Sequence, residues 1–510
     1  MDGVAAGPGG WDAAVVSATN HDPHPSSASA GYRGAADLAA DLEAGATTSV
    51  DVVRTLLERI AAVDGPEGVD LRAVLATSPD ALEQAARLDA ERAAGTVRSP
   101  LHGVPVLAKD NIEAVGLPAT AGSLALQGRT VERDAPLVAR MREAGLVVLG
   151  STNLSEWANL RSSHSTSGWS GVRGLTGNPW ALDRSAGGSS SGSGAALAAG
   201  YAPLAIGTET DGSIVCPASL NGVVGIKPTV GRVPAQHVVP ISASQDSPGP
   251  MARSVRDAAL LLDVLAGSTE HAHAVDRLDA AGLRVGAVAG WLTGHGPTDA
   301  RYADVLERLR AAGATVVDVA PVEVPGADDD ELTVLLCEFV DDLTAYLAGR
   351  PGEGVRSMAD VVAFNRDHPE ELAHFDQDFL ELALATGGRA SSDYAPARAR
   401  CLHWAVDQVL APALAHGVDL LVGPTYAPAW KSDLALGDNP SAGGAITSPA
   451  AIAGWPILCV PMGLADGLPV GLSLTGRPGT EPHLLAAGHL VETLLDLGEH
   501  RPSWTPPTRG

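Results

Sequence analysis

Apolar positions recur along the chain at two periods. Val52, Val53, Leu56, Leu57 and Ile60 fall at helical spacing, so Val50–Ile60 reads as a helix with Thr48 or Ser49 as N-cap. Leu71–Ala76 suits a strand, and Ser78-Pro79 then opens a helix that Gly95 ends. Val104–Ala108 is a short apolar strand that delivers Lys109-Asp110-Asn111. Asp134 can cap a helix reaching Ala144, which Gly145 stops, and Leu146–Leu149 follows as a strand. Residues 151–186 break this rhythm: they are polar and loop-like, with Trp157, Trp169 and Trp180 interspersed. Long loops of this kind inside a compact protein are usually functional.

The rhythm resumes with the strand Leu204–Ile206, the helix Val255–Leu265, the strand Leu283–Ala289, and a helix–strand unit over Tyr302–Ala312 and Ala314–Val319. Residues 330–410 are helix-rich and charged, and read as an outer or cap region. Val418–Val422 and Ile457–Leu464 look like buried strands, the second turning through Ala465-Asp466-Gly467 into Val470–Leu474 as a hairpin. Helices alternating with short apolar strands predict an α/β architecture around a buried sheet. With no internal repeat and no linker, one large domain over 32–500 is expected, between a loosely packed tail, 1–31, and a short tail, 501–510.

Composition narrows the function classes. The 510 residues are 45% hydrophobic and 18% charged, enough for a large core. A formal charge of -26 disfavours phosphate backbones and anionic lipid surfaces, so neither nucleic acid nor membrane is expected as a partner. Cys216, Cys337, Cys401 and Cys459 are scattered, which argues against a zinc site or disulfide framework and for buried thiols. His271 with His273, and His21 with His24, lack partner ligands and read as solvated side chains, so no metal is expected. The first thirty residues lack the apolar segment of a signal peptide, and no apolar run is long enough to span a bilayer. A cytoplasmic protein is therefore expected, with a monomer compatible with the sequence. Lysine occurs three times, as Lys109, Lys227 and Lys431. Unlike arginine, a buried lysine can accept a proton.

The densest chemistry lies between Gly187 and Pro228, where Gly-Gly-Ser-Ser-Ser-Gly-Ser-Gly precedes Gly-Thr-Glu-Thr-Asp-Gly-Ser-Ile. Glycine-rich turns let main-chain N–H groups converge, and serines held in them are candidates for nucleophile and proton relay. A flexible linker would not continue into the apolar runs Ala195–Ala199 and Pro203–Ile206. Gly188-Ser189-Ser190-Ser191-Gly192 matches a Gly-x-Ser-x-Gly nucleophile elbow, which would make Ser190 the nucleophile of a Ser–His–Asp hydrolase. That elbow requires an apolar strand before it, yet Asp183-Arg184-Ser185-Ala186 is polar. A non-catalytic phosphate cradle over Gly187–Gly194 would lack the Gly-Lys-Ser/Thr ending of a P-loop.

These motifs, with Leu101-His102-Gly103-Val104-Pro105, Gly225-Ile226-Lys227-Pro228, Asp246-Ser247-Pro248-Gly249-Pro250-Met251 and Gly454-Trp455-Pro456, resemble the amidase signature family. The resemblance covers most of the chain beyond the tail. It implies a single α/β domain with a mixed central β-sheet surrounded by α-helices, and a metal- and cofactor-independent serine amidase. Carried over by position, it implies Ser213 as nucleophile, Ser189 as bridging serine after a cis Gly188–Ser189 peptide, and Lys109 as base. The main-chain N–H groups of Thr210, Asp211, Gly212 and Ser213 become the candidate oxyanion hole. Ser190, Asn111 and Gly188 are expected to support the network, and His102 to be structural. Asp211, Trp157 and Trp169 are expected at the substrate cleft, with core packing as the alternative for the tryptophans.

A lysine base must be neutral. Bringing its pKa from about 10.4 to near 7 takes roughly 3.4 units, or about 4.6 kcal/mol, which full burial can supply. Asp110 must then point away. Relatives often carry glycine where this chain has Asp211 and arginine where it has Val215, which disfavours a glutamine-type substrate. Asn153-Leu154-Ser155-Glu156-Trp157-Ala158-Asn159 and Phe364-Asn365 look most like the bacterial peptide amidase branch, whose members release the C-terminal amide nitrogen of peptides as ammonia. A broad aliphatic or aryl amidase is the alternative.

Overall fold

Side chains along a strand alternate faces, so a sheet covered on both sides needs apolar residues at consecutive positions. The central strands do this. In Pro105–Lys109 and Leu204–Glu209, Val106, Leu204 and Ile206 enter one hydrophobic cluster, while Leu107 and Ala205 enter a second on the opposite face. The computed structural model describes residues 32–128, 131–320, 326–440, 445–498 and 501–502. The expected tail 1–31 and most of 501–510 lie outside the described residues.

Eleven strands form the main sheet. In chain order they are β1 (Val74–Thr77), β2 (Pro105–Lys109), β3 (Val147–Thr152), β4 (Leu204–Glu209), β5 (Val224–Lys227) and β6 (Ser247–Ala252). They continue with β7 (Arg284–Val288), β8 (Thr315–Val319), β9 (Leu420–Pro424), β10 (Ile457–Ala465) and β11 (Leu468–Thr475). The spatial order is β1-β3-β2-β4-β6-β5-β10-β11-β9-β7-β8. Pairs β3–β2, β2–β4, β9–β7 and β7–β8 are parallel and the other six antiparallel, which makes the sheet mixed. Helices Val255–Ala266 and Glu481–Leu495 cover the first face; Ser49–Val63 and Ser191–Ala198 cover the second.

The region 330–410 is helical, from Asp328–Gly349 through Met358–Asp367, Asp378–Thr386 and Tyr394–Leu402, and it packs largely in clusters of its own outside the sheet. Among the described residues no helix is long and apolar enough to cross a membrane. All four cysteines are free and buried.

Four local differences from the sequence reading have physical causes. The first strand starts at Val74 because Asp70 and Arg72 adopt φ of 56° and 55°, while the Asp64 carboxylate takes the N–H groups of Ala73 and Val74. Asp134 does not cap the helix Pro136–Glu143. Its carboxylate instead accepts the Val115 N–H and pairs with Arg142 at 2.9 Å. Two prolines disguise β6 as a loop, but its pairing with β5 is confined to Met251 and Ala252, beyond both of them. His271 is buried rather than solvated, its Nδ1 2.7 Å from Asp263. The hairpin is as read: Asp466 and Gly467, both at positive φ, join β10 to β11 in a two-residue turn.

Candidate active site

β2 and β4 lie side by side and parallel, and their carboxyl ends supply the site. Lys109, the last residue of β2, is fully buried. Its Nζ donates to Ser189 Oγ at 2.8 Å, to Thr208 Oγ1 at 2.8 Å and to the Thr208 carbonyl at 3.2 Å. Asn111 Nδ2 donates to the same Thr208 hydroxyl at 3.0 Å. Burial lowers the Lys109 pKa to about 7, against the pull of the Asp246 and Glu209 charges. Asp110 does point away. Its carboxylate accepts the N–H groups of Ala119 and Thr120 and the Thr120 hydroxyl, and burial raises its pKa to about 6. The other lysines divide cleanly: Lys227 is buried, donating to the Trp455 carbonyl at 2.5 Å, and Lys431 is exposed beside Asp183.

The Gly188–Ser189 peptide is cis and leads into the helix Ser191–Ala198. Gly188 has no room for a side chain, since a Cβ would stand 2.4 Å from Ser155 Oγ and 2.7 Å from Ser167 Oγ. Ser190 Oγ donates to the Thr208 carbonyl at 3.1 Å and accepts the Thr208 N–H at 3.2 Å, so it ties the serine turn to β4. A hydroxyl spent on a strand backbone is unsuited to be an elbow nucleophile. The turn is no phosphate cradle either, because the N–H groups of Ser190, Gly192 and Gly194 all serve main-chain carbonyls.

The turn after β4 carries Ser213, whose carbonyl accepts the Ser190 N–H at 3.1 Å and thus sits against the residue that follows Ser189. Glu209 shapes this turn from inside, one carboxylate oxygen accepting the N–H groups of Ile214 at 2.6 Å and Val215 at 2.9 Å. Among the described residues, the N–H groups of Asp211, Gly212 and Ser213 have no acceptor. The Thr210 hydroxyl donates to Asp246 at 2.6 Å. Burial raises the Asp211 carboxyl, which the hydroxyls of Ser448 and Thr447 partly offset.

A cavity of about 820 Å³ reaches this network from one side, with Asn111, Thr208, Thr210 and Asp246 at its polar end and Val239 and Ile241 in its wall. Neither tryptophan lines it, and neither does Ser189 or Ser213. Trp157 packs with Phe339 and Leu343, and Trp169 meets Phe375 edge-on at 5.0 Å beneath the buried Arg161 guanidinium. Asp211 does not line that cavity either. His102 is structural, its ring nitrogens bonded to the Leu88 carbonyl and the Arg98 N–H. Thr208, Glu209 and Asp246 went unassigned in the sequence reading, although each stands inside a quoted motif.

The sequence profile described as Amidase matches residues 51–485. The chain belongs to the amidase signature family. A probable amidase of Arabidopsis thaliana is 38% identical to this amidase over 87% of the chain and 86% of its own length. A glutamyl-tRNA(Gln) amidotransferase chain from Thermobifida fusca is 36% identical over 90% and 95%. Among solved structures, native peptide amidase from Stenotrophomonas maltophilia superposes with a TM-score of 0.86 at 44% identity, covering 92% of the amidase and 98% of that chain. The amidase therefore hydrolyses amide C–N bonds.

Proposed function

We propose that the amidase releases the C-terminal amide nitrogen of peptides as ammonia, through an acyl-enzyme on Ser213, with Ser189 as proton relay and Lys109 as base. The observation that carries this reading is the fully buried amine of Lys109, held 2.8 Å from Ser189 Oγ. A neutral amine has two N–H groups and one lone pair. Once the amine is neutral, the two oxygens of Thr208 take both N–H groups, and the Ser189 hydroxyl turns from acceptor to donor toward the lone pair. Ser189 then passes its proton to Lys109 and receives that of Ser213 as the latter attacks the carboxamide carbon. The free N–H groups of Asp211, Gly212 and Ser213, with that of Thr210 beside them, suit the developing oxyanion. The proton returns through Ser189 to the departing nitrogen, since an unprotonated amide ion is a very poor leaving group. Water attacks the ester by the reverse relay and yields the peptide carboxylate.

The substrate class rests on the 44% identity with peptide amidase over nearly the whole chain. Val215, two positions after Ser213, is buried and apolar and supplies no cation for a substrate carboxylate, which weighs against a glutamine-type substrate. Ammonia release measured on amidated peptides and on simple aliphatic and aryl amides tests the reading. A kcat/KM for peptide amides at least tenfold above that for simple amides supports it, and equal values point to a broad amidase. Loss of turnover in both Lys109→Ala and Ser213→Ala supports the triad, and a Lys109→Ala enzyme of undiminished rate refutes it.

A further inference from the structure

Asp246 stands where the cavity meets the lysine network. One carboxylate oxygen accepts the Thr210 hydroxyl at 2.6 Å, and the other accepts the N–H groups of Ile241 at 2.8 Å and Ser242 at 3.0 Å. All three donors are neutral. The arginines that line the same cavity are engaged elsewhere: Arg133 with Glu113, Arg140 with the Leu265 carbonyl, and Arg232 with Glu270. No cation is bonded to Asp246 among the described residues, and its charge favours the protonated amine of Lys109. Two other acids face the pair. Glu209 also acts on Lys109 but is itself opposed by Lys227, and Asp342, bound to Arg389, pushes on Asp246 from the helix Asp328–Gly349.

We propose that Asp246 is a positioning residue for amide cleavage, anchoring through Thr210 the turn that carries Ser213 while its charge faces the amine of Lys109. The proposal rests on Lys109 being the base. Burial alone would leave that amine a weak proton acceptor, and general bases work best when their pKa lies near the working pH. A nearby carboxylate restores basicity without touching the amine. Burial raises the Asp246 pKa to about 6 and lowers that of Lys109 to about 7.

Two variants separate the roles. Asp246→Asn keeps an acceptor for the main-chain N–H groups and a partner for Thr210 but removes the charge. Thr210→Val removes the link, and with it one of the three hydrogen bonds that favour the charged carboxylate. The pH dependence of kcat/KM for ammonia release from an N-acylated amino acid amide is measured for both, the parent and Lys109→Ala. In Asp246→Asn the acidic limb is expected to move down by roughly half a pH unit or more, the sign for losing a negative charge beside an ammonium. In Thr210→Val kcat falls about tenfold at similar KM. An unmoved limb in Asp246→Asn, or an unchanged kcat in Thr210→Val, overturns the proposal. If Asp246→Asn fails to fold, the Thr210→Val result decides. An active Lys109→Ala enzyme would instead sink the triad reading itself, which keeps the two failures apart.

Discussion

Lys109 is fully buried with no carboxylate in contact, a setting that favours an uncharged amine. With its pKa at about 7, kcat/KM should rise with pH through that value, because protonation below it removes the base. A profile flat between pH 5.5 and 8.5 would contradict this. Ser190→Ala loses two hydrogen bonds to Thr208 but no group in the relay, so a fall of about tenfold is expected, set against about 10³ or more for Ser213→Ala. Steady-state ammonia assays on the two purified variants would compare them. At this scale the triad positions were legible because their motifs are contiguous. Thr208 was not: nothing in Gly207-Thr208-Glu209 says that the threonine contributes both a hydroxyl and a carbonyl to one amine. Nor could Trp157 and Trp169 be placed, since a tryptophan in a polar loop looks the same whether the loop lines a cleft or folds over its own core.

Strands that alternate between two buried clusters were readable as unbroken apolar runs, which is why β2, β3, β9 and β10 fall close to their expected ranges. β6 escaped because Ser-Pro-Gly-Pro-Met carries turn residues, and only pairing with β4 along its whole length makes it a strand. Gly249 at its centre explains that composition, as a Cβ there would stand 2.1 Å from the Ile226 carbonyl. Gly249→Ala should therefore destabilise the protein by about 1–3 kcal/mol. An unchanged midpoint in urea unfolding would show that β5 and β6 can separate more easily than their contact suggests.

The whole molecule carries a formal charge of -26. Long-range attraction should favour cationic peptide amides over anionic ones at low ionic strength, chiefly through kcat/KM. Matched peptides bearing lysine or glutamate two residues before the amide would show it. The preference should shrink as salt rises from about 0.01 M to 1 M, where screening shortens from about 30 Å to 3 Å. A ratio indifferent to salt would assign any preference to local contacts instead.

The strand order also bears on how the chain is made. β10, from residues 457–465, is hydrogen-bonded to β5, from residues 224–227, so the middle of the sheet is completed by a segment that the ribosome delivers well after β5. Until then β5 presents a bare, apolar edge to the cell for the time needed to add more than two hundred residues, an interval in which a holdase has something to shield.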